Sequence, residues 1–298
     1  MKTIVRSPGS RAVGKFLLSR VLRAGAAGFL LALGALSLRG EETSRYATGN
    51  APPPDGLFAP LRADPRELHF ALRAAFPHQR VTAAEVAIGH YYGIYRWALP
   101  GGAGAVQANV GGGIFPRFNF SHDTDLQVID FYGNIPVDVR AGRWSGRFMV
   151  YHVSSHLGDD YIRATGHASV RNSWNTLRSI LSFDADPRLR LYGGHSYHLL
   201  VRPAALKGQA FQAGVEIYSP VFANGRAQAY WANDAQWWQR THWRTMYNAQ
   251  VGIKLGRDRG QGRGISYFLE FTTGPEHYGQ FFDRSETRGT VGAKFDFI

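Results

Sequence analysis

Residues 290–297 have the sequence TVGAKFDF, in which polar and apolar side chains alternate. Successive side chains of a β-strand point to opposite faces, so this segment presents one apolar face and one polar face. An apolar face suits contact with lipid, and a polar face suits the lumen of a transmembrane barrel. An amphipathic edge strand of a soluble protein has the same alternation, so the rest of the chain has to decide between the two.

Similar runs of about 10 to 16 residues recur along the chain, separated by clusters of Gly, Pro, Asn and Asp. They predict about twelve strands, an even number, with no long amphipathic helix between them. The predicted strands are residues 67–76, 82–97, 103–118, 125–140, 143–155, 167–184, 188–201, 208–218, 225–233, 243–256, 263–273 and 287–298.

The length of these runs separates two kinds of exported β-protein. Strands of soluble proteins usually have about 5 or 6 residues, whereas a strand that crosses a membrane on a tilted path needs about 9 to 11. Strands can cross lipid only in a closed barrel, because an open edge leaves backbone groups unpaired in hydrocarbon. We therefore predict an all-β fold, a transmembrane antiparallel up-and-down β-barrel of about 12 strands, rather than a large soluble sandwich.

Residues 1–37 have the pattern of a secretory signal peptide. Basic side chains precede an apolar run from Ala24 to Leu38, and Ala35 and Ser37 have the spacing of a small-x-small cleavage site. The run has about 15 residues, fewer than the roughly 20 that an uncleaved membrane anchor needs. We expect export through this signal, followed by an exposed, Pro-rich periplasmic tail at residues 38–66 and the barrel at residues 67–298.

Composition excludes several kinds of site and partner. The 298-residue chain has no Cys, which excludes disulfides, iron–sulfur clusters, thiolate zinc sites and Cys nucleophiles. The formal net charge is +12, but six positive charges precede Ser37 with no acidic residue among them, which leaves about +6 after cleavage. A mildly basic chain fits an anionic membrane surface, and we predict no nucleic-acid partner.

Connection lengths predict the orientation of the barrel. Barrels of this class have short periplasmic turns and longer external loops. With the N-terminus in the periplasm, the longer connections 155–166, 231–242 and 273–286 all fall on the external side. The basic segment 256–264 is a long connection on the periplasmic side and is the main exception.

Three segments resemble a family of bacterial proteins that is filed under a domain of unknown function and expected to consist of outer-membrane barrels. They are residues 57–66 (LFAPLRADPR), 151–161 (YHVSSHLGDDY) and 279–282 (GQFF). The resemblance implies a barrel in the outer membrane of a Gram-negative-type bacterium, with outer-membrane lipids and lipopolysaccharide as partners, and implies no activity. The final strand also resembles the recognition signal of the barrel-assembly machinery, although it ends in Ile298 rather than Phe.

The fifth predicted strand carries the most informative chemistry. Its even positions, such as Trp144 and Val150, should face lipid, and its odd positions, such as Arg147, should face the lumen. His152 and Ser154 continue the lipid face just below an external loop. A neutral His beside a Ser hydroxyl is the minimal base and nucleophile pair for acyl transfer.

This His-x-Ser pattern resembles that of outer-membrane phospholipase A and of the lipid A deacylase of outer membranes. The resemblance carries over to His152 and Ser154 alone, because Ser155 stands where those enzymes have Asn. Ala164, Thr165 and Gly166 occupy the region where an orienting residue is expected. The candidates for an orienting group are therefore Asp159, Asn172 and Asn175.

Other interpretations of the same residues stay open. His152 and Ser154 can also lie at the headgroup level and bind lipid or neighbouring strands without catalysis. Asp159 and Asp160 offer two carboxylates for a possible Ca²⁺, but they lack the spacing of a calcium loop and also suit a solvated loop. The spacing of His152 and His156 converges on a metal only in a helix, which argues against zinc.

Two further groups of side chains bear on function. The aromatic residues Trp231, Trp237, Trp238 and Trp243 surround an external loop that contains Arg240, and they suit sugar stacking or an interfacial girdle. Charges expected to face the lumen suit a pore; they are Arg147, Glu216 and Lys254.

The sequence thus supports three functions. They are an outer-membrane barrel with a structural or binding role at the cell surface, a lipid ester hydrolase that uses Ser154 and His152, and a small-solute channel.

Overall fold

The computed structural model describes residues 48–50, 56–76, 83–120, 125–206, 208–256 and 264–296. In this part of the chain twelve long strands form one antiparallel sheet. The strands are β1 (Phe70–Phe76), β2 (Ala83–Ala98), β3 (Ala105–Asn119), β4 (Asp125–Ala141), β5 (Trp144–Leu157), β6 (Asn172–Asp186), β7 (Leu189–Arg202), β8 (Gln209–Tyr218), β9 (Ala227–Trp238), β10 (Thr245–Gly256), β11 (Gly264–Pro275) and β12 (Ser285–Asp296).

The sheet closes on itself. Each strand pairs with its neighbours in sequence, and β12 pairs with β1 from Gly289 opposite Phe76 to Phe295 opposite Phe70. A two-residue strand, Gly49–Asn50, pairs with β2 beyond the segment that β1 covers. Closure leaves no long open edge, which is the condition for strands to cross hydrocarbon. The predicted transmembrane up-and-down barrel of about twelve strands is confirmed.

Alternation gives the ring an apolar outside and a charged inside. Along β5, Trp144 and Val150 are exposed and Ser145, Arg147 and Tyr151 are buried, which confirms the predicted orientation of this strand. Large apolar side chains are exposed on the outer face all around the ring, among them Leu72, Ile135, Leu181, Val251, Leu269 and Val291. Charged side chains are buried inside the ring, among them Glu85, Arg117, Asp138, Arg178, Glu216 and Lys294.

The strand boundaries differ most from the prediction at three places. The ninth strand runs to Trp238 rather than to residue 233, so the connection predicted at 231–242 begins only after Trp238. The first strand begins at Phe70 rather than at residue 67, and the sixth begins at Asn172 rather than at residue 167. Residues 159–165 form one short helix, α1 (Asp159–Thr165), which Gly166 ends in the left-handed conformation. Residues 166–171, between this helix and β6, do not pair with another strand.

The N-terminal tail enters the barrel instead of lying outside it. Residues 57–69, which we call the lumen segment, are almost wholly buried; Phe58 and Leu61 are 1% and 0% exposed. These two side chains pack on Ile180 and Tyr192 of the ring. The predicted exposed tail is therefore wrong for residues 57–66, because the ring interior has room and unpaired charge that this segment fills.

Ion pairs hold the lumen segment to the ring. Asp64 lies 2.6 Å from Arg178, and Glu67 lies 3.1 Å from Arg147. Asp64 also accepts hydrogen bonds from the backbone N–H of Arg66 at 2.9 Å and from the Gln212 side chain at 3.1 Å. Asp64 is thus held by partners on both the lumen segment and the ring.

A second segment closes the other end of the lumen. Residues 276–281, which we call the inward loop, follow β11, and Tyr278 and Phe281 are each 1% exposed. Both pack with Leu68 of the lumen segment in one apolar cluster, and Glu276 pairs with Arg117 at 3.0 Å. The lumen is thus filled from both rims.

No helix in the described ranges is long and apolar enough to span a membrane. The predicted signal peptide, residues 1–37, lies outside the described residues.

The lumen segment should contribute strongly to stability. Leu61→Ala removes a fully buried side chain and should lower the free energy of unfolding by about 2–5 kcal/mol. Leu200→Ala makes the same chemical change at a side chain that is 77% exposed and should have a much smaller effect. Urea unfolding in detergent micelles measures both. Equal losses would contradict the buried position of the segment.

The filled lumen also predicts the electrical behaviour of the barrel. The intact protein should show no steady conductance in a planar bilayer, whereas a variant that lacks residues 56–66 should conduct, since its lumen is partly emptied. The variant is first tested for folding by its faster migration on a gel before boiling. Steady conductance of the intact protein would contradict the filled lumen.

Candidate functional site

The outer face of β5 carries a row of polar side chains close to the rim at which the strand ends. His152 and His156 are exposed and Ser154 is half-buried, whereas the residues between them, Val153 and Ser155, are buried in the lumen. The row follows from the two-residue period of the strand. Polar groups at three successive outward positions are unusual on a face that otherwise suits lipid.

His152 is oriented by a residue of the neighbouring strand. The ladder between β5 and β6 places Asn175 directly opposite His152, and His152 Nδ1 lies 2.6 Å from Asn175 Oδ1. Because an amide oxygen only accepts hydrogen bonds, the imidazole donates from Nδ1, and Nε2 of the neutral ring is free to accept a proton. Of the three residues predicted as orienting groups, Asn175 is thus the one that contacts a histidine of the site.

The hydroxyl of Ser154 is paired with the other histidine. Ser154 Oγ lies 2.7 Å from His156 Nε2, within the range expected for a nucleophile and its base. The His156 ring packs edge-on against Phe131 of β4, with ring centroids 5.8 Å apart. Sequence reasoning considered His156 only as a metal ligand, although the same i, i+2 rule that placed His152 beside Ser154 also places His156 there.

These side chains line a recess on the outer wall of the barrel. The recess has a volume of about 500 Å³ and is completed by residues 169–173, which lead into β6. Arg171 is exposed there and brings a positive charge next to the Ser154 row. The recess is therefore open, cationic at its edge and continuous with the apolar outer surface.

Asn172 borders the recess, but its side-chain amide points away from His152. It is 2% exposed and faces the lumen, where its Nδ2 donates to the Gly279 carbonyl at 2.5 Å. The prediction that Asn172 orients His152 is wrong, because Asn172 lies three residues from Asn175 and an odd separation reverses the face of a strand.

The two carboxylates of the predicted calcium site begin helix α1. Asp159 and Asp160 lie in its first turn, where the positive end of the helix dipole stabilises carboxylates, and Asp160 pairs with Arg163. Asp159 has no hydrogen bond to His152 or His156 among the described contacts. Neither carboxylate belongs to a cluster of three possible metal ligands within the described ranges. Calcium binding by Asp159 and Asp160 stays a prediction.

The neighbouring serine has a structural role. Ser155 points into the lumen, donates to Asp130 and accepts the backbone N–H of Gln280 at 3.0 Å. Asp130 also pairs with Arg66 of the lumen segment at 2.8 Å. Two adjacent serines on one strand thus have opposite surroundings: Ser154 faces the recess, and Ser155 joins the inward loop to the ring.

Two glycines of the quoted motifs are explained by close packing. A Cβ on Gly158 would lie 1.8 Å from the carbonyl oxygen of Leu126, and one on Gly279 would lie 2.6 Å from Ser155 Cβ. Both distances are far below van der Waals contact. Residues 151–161 and 279–282 therefore form the junction between β5, α1 and the inward loop. The first of these segments also contains the polar row.

The charges predicted to line a pore are paired inside the lumen. Arg147 contacts Asp138 at 2.7 Å in addition to Glu67, and Glu216 pairs with Arg190 at 3.3 Å. Lys254 pairs with Asp296 at 3.3 Å. These charges hold the interior together and do not border an open channel.

Comparison with known proteins identifies the family. The family described as "Protein of unknown function (DUF1207)" matches residues 35–297. The chain belongs to this family. A search of curated proteins finds no match.

Solved structures with a similar fold are outer-membrane barrels. The calcium-bound outer membrane phospholipase dimer of Salmonella typhi has a TM-score of 0.52 at 12% identity, over 77% of this chain and 90% of that one. Outer membrane phospholipase A of Escherichia coli has a TM-score of 0.52 at 12% identity, over 80% and 93%. An active-site mutant of that E. coli enzyme, Asn to Ala, has a TM-score of 0.51 at 10% identity, over 88% and 95%. At these identities the likeness shows a common fold.

Substitution of Gly279 tests the packing of the inward loop against β5. Gly279→Ala should lower the free energy of unfolding by about 1–3 kcal/mol, because its new methyl group meets Ser155 and Trp174. Gly289→Ala adds the same group where nothing lies within 4 Å and should be nearly neutral. Urea unfolding in micelles compares the two variants. A neutral Gly279→Ala would contradict the packing of the inward loop on β5.

Proposed function

We propose that this barrel is an outer-membrane lipid ester hydrolase with Ser154 as its nucleophile. The observation that supports the proposal most directly is the 2.7 Å contact between Ser154 Oγ and His156 Nε2 on the lipid-facing wall. The amide-oriented imidazole of His152 lies on the other side of Ser154 in the same outward row. Acyl transfer needs a nucleophile and a base in contact, as Ser154 and His156 are, and the orienting amide holds the second histidine of the row.

In the proposed reaction Ser154 Oγ attacks the ester carbonyl carbon while His156 Nε2 accepts the hydroxyl proton. The tetrahedral intermediate collapses to an acyl-serine, and the alcohol leaves with the proton returned by the imidazole. Water then attacks the acyl-serine by the same proton transfers and releases the fatty acid. His152, held by Asn175, is placed to stabilise charge beside Ser154 and is the alternative base, as the His-x-Ser resemblance implies.

The position of the site favours a lipid substrate. Ser154 faces outward close to the rim at which β5 ends, which we call the loop rim. The ester groups of a bilayer lie at such a level, between headgroups and acyl chains. The recess of about 500 Å³ accommodates part of a lipid, and Arg171 at its edge suits a phosphate. The acyl chains of such a substrate stay in contact with the apolar wall of the barrel.

The structural neighbours are consistent with this class of activity. The three described above are named as outer membrane phospholipases, and an asparagine belongs to the active site of the E. coli enzyme. Asn175 supplies the corresponding chemical group next to His152. The channel hypothesis is disfavoured, since the lumen segment and the inward loop fill the interior. The experiments below distinguish a hydrolase from a barrel with a purely structural or binding role.

Covalent labelling tests the nucleophile. A fluorophosphonate should label the purified barrel, and mass spectrometry of its peptides should locate the adduct on Ser154. Ser154→Ala should abolish labelling, whereas Ser155→Ala should retain it, because Ser155 faces the lumen. The faster migration of unboiled samples confirms that both variants are folded. Absence of an adduct on folded parent protein, with or without Ca²⁺, would contradict the proposal.

The rate of labelling separates the roles of the two histidines. His156→Ala should slow adduct formation by about 1,000-fold or more if it is the base, and Asn175→Ala and His152→Ala should cause smaller losses. His195→Ala is a matched control, since His195 is also exposed but lies on β7 and contacts Gln209. If the large loss occurs at His152 instead, His152 is the base. Unchanged rates in both variants would exclude a histidine base.

A further inference from the structure

A small cavity lies in the lumen between the lumen segment and the inward loop. Its volume is about 30 Å³, enough for one or two atoms of the size of a water molecule. Tyr132, Tyr151, Trp174 and Arg240 border it, at the half of the barrel near the loop rim. The proposed hydrolase site faces the opposite side of the wall and contributes nothing to this cavity.

The charges around the cavity do not balance. Arg66, Arg178 and Arg240 line it, and Asp64 is the one carboxylate that does so. Asp64 pairs with Arg178 at 2.6 Å, and Arg66 pairs with Asp130 behind it at 2.8 Å. Within the described ranges Arg240 has no carboxylate partner. Asp130 attracts Arg240 from beyond ion-pair distance, and Asp130 is already paired with Arg66.

Aromatic rings hold the Arg240 guanidinium at the cavity. Its central carbon lies 4.2 Å from the ring centre of Trp238 and 4.9 Å from that of Trp174. Cation–π contacts of this kind orient a cation without neutralising its charge. The tryptophan cluster that the sequence placed around Arg240 thus partly faces inward, through Trp238 and its stacking on His198.

Several hydrogen-bond donors at the cavity lack an acceptor. The side-chain nitrogens Nε1 of Trp174, Nε of Arg240 and Nε of Arg66 are buried without a partner in the described part of the chain. Trp174 is only 2% exposed. Asn134 also lines the cavity with an unpartnered Oδ1, and rotation of its amide by half a turn presents NH₂ instead. Unpaired donors beside an unpaired cation call for an acceptor that carries negative charge.

We propose that this cavity is a binding site for a halide-sized monovalent anion, held between Arg240 and Trp174 Nε1. The volume admits chloride or bromide. Arg240 is half-buried, and its exposed part provides a path from the loop rim. A water molecule fits the same volume but gives Arg240 no ion pair.

Bromide tests the site because its anomalous scattering locates it directly. Crystals of the intact protein grown or soaked in sodium bromide should show an anomalous peak within hydrogen-bonding distance of Arg240 and Trp174 Nε1. An ordinary water at that position, with no anomalous signal, would overturn the proposal. This measurement needs no variant and no hydrolase activity.

Thermal unfolding provides a second readout. Sodium chloride should raise the midpoint of unfolding above that in sodium gluconate at equal ionic strength, because gluconate is too large for the cavity. Arg240→Gln should remove this difference, whereas Arg244→Gln should keep it, since Arg244 is exposed in the same connection and contacts Ser285. A difference that persists in folded Arg240→Gln protein would place the anion elsewhere and contradict the proposal.

Discussion

The structure depends on one constraint. The charged side chains that point into the closed ring, as every second residue of a strand does, have to be neutralised there. The lumen segment meets much of this need with its side chains and with its backbone. Its carbonyl groups accept hydrogen bonds from ring side chains: Ala59 from Arg190 at 2.9 Å, Arg62 from Lys294 at 3.0 Å and Ala63 from Asn248 at 2.6 Å. Because an unpaired buried charge is costly, the lumen segment stabilises the ring around it.

The same constraint explains why the polar row on β5 is informative. Inside the ring, polar groups are numerous, and most of them are needed for pairing. Outside it, lipid offers no partners, so polar groups there have to satisfy one another, as His152 does with Asn175 and Ser154 does with His156. A functional interpretation is therefore stronger for Ser154 than for Ser155, although the two residues are adjacent in sequence.

The fold was largely predictable, since period-two alternation and strand length are local properties. The same rule placed His152 and Ser154 correctly on the outer face. Three features differ from the prediction: the burial of residues 57–66, the pairing of Ser154 with His156, and the inward position of Asn172. The first depends on contacts between segments distant in sequence. The other two follow from the two-residue period, which puts His156 on the face of Ser154 and Asn172 on the face opposite to Asn175. The apolar Phe58 and Leu61 within a Pro-rich segment were the available signal for the first.

The proposed catalytic role of Ser154 is tested most directly by measuring fatty-acid release from lipid. Purified barrel would be mixed with vesicles of outer-membrane phospholipid and lipopolysaccharide, and free fatty acid would be quantified by mass spectrometry. The account predicts release by the parent protein and by Ser155→Ala, and none by folded Ser154→Ala. Equal release by parent and Ser154→Ala, or none by the parent with and without Ca²⁺, would contradict it and leave the polar row as a lipid contact.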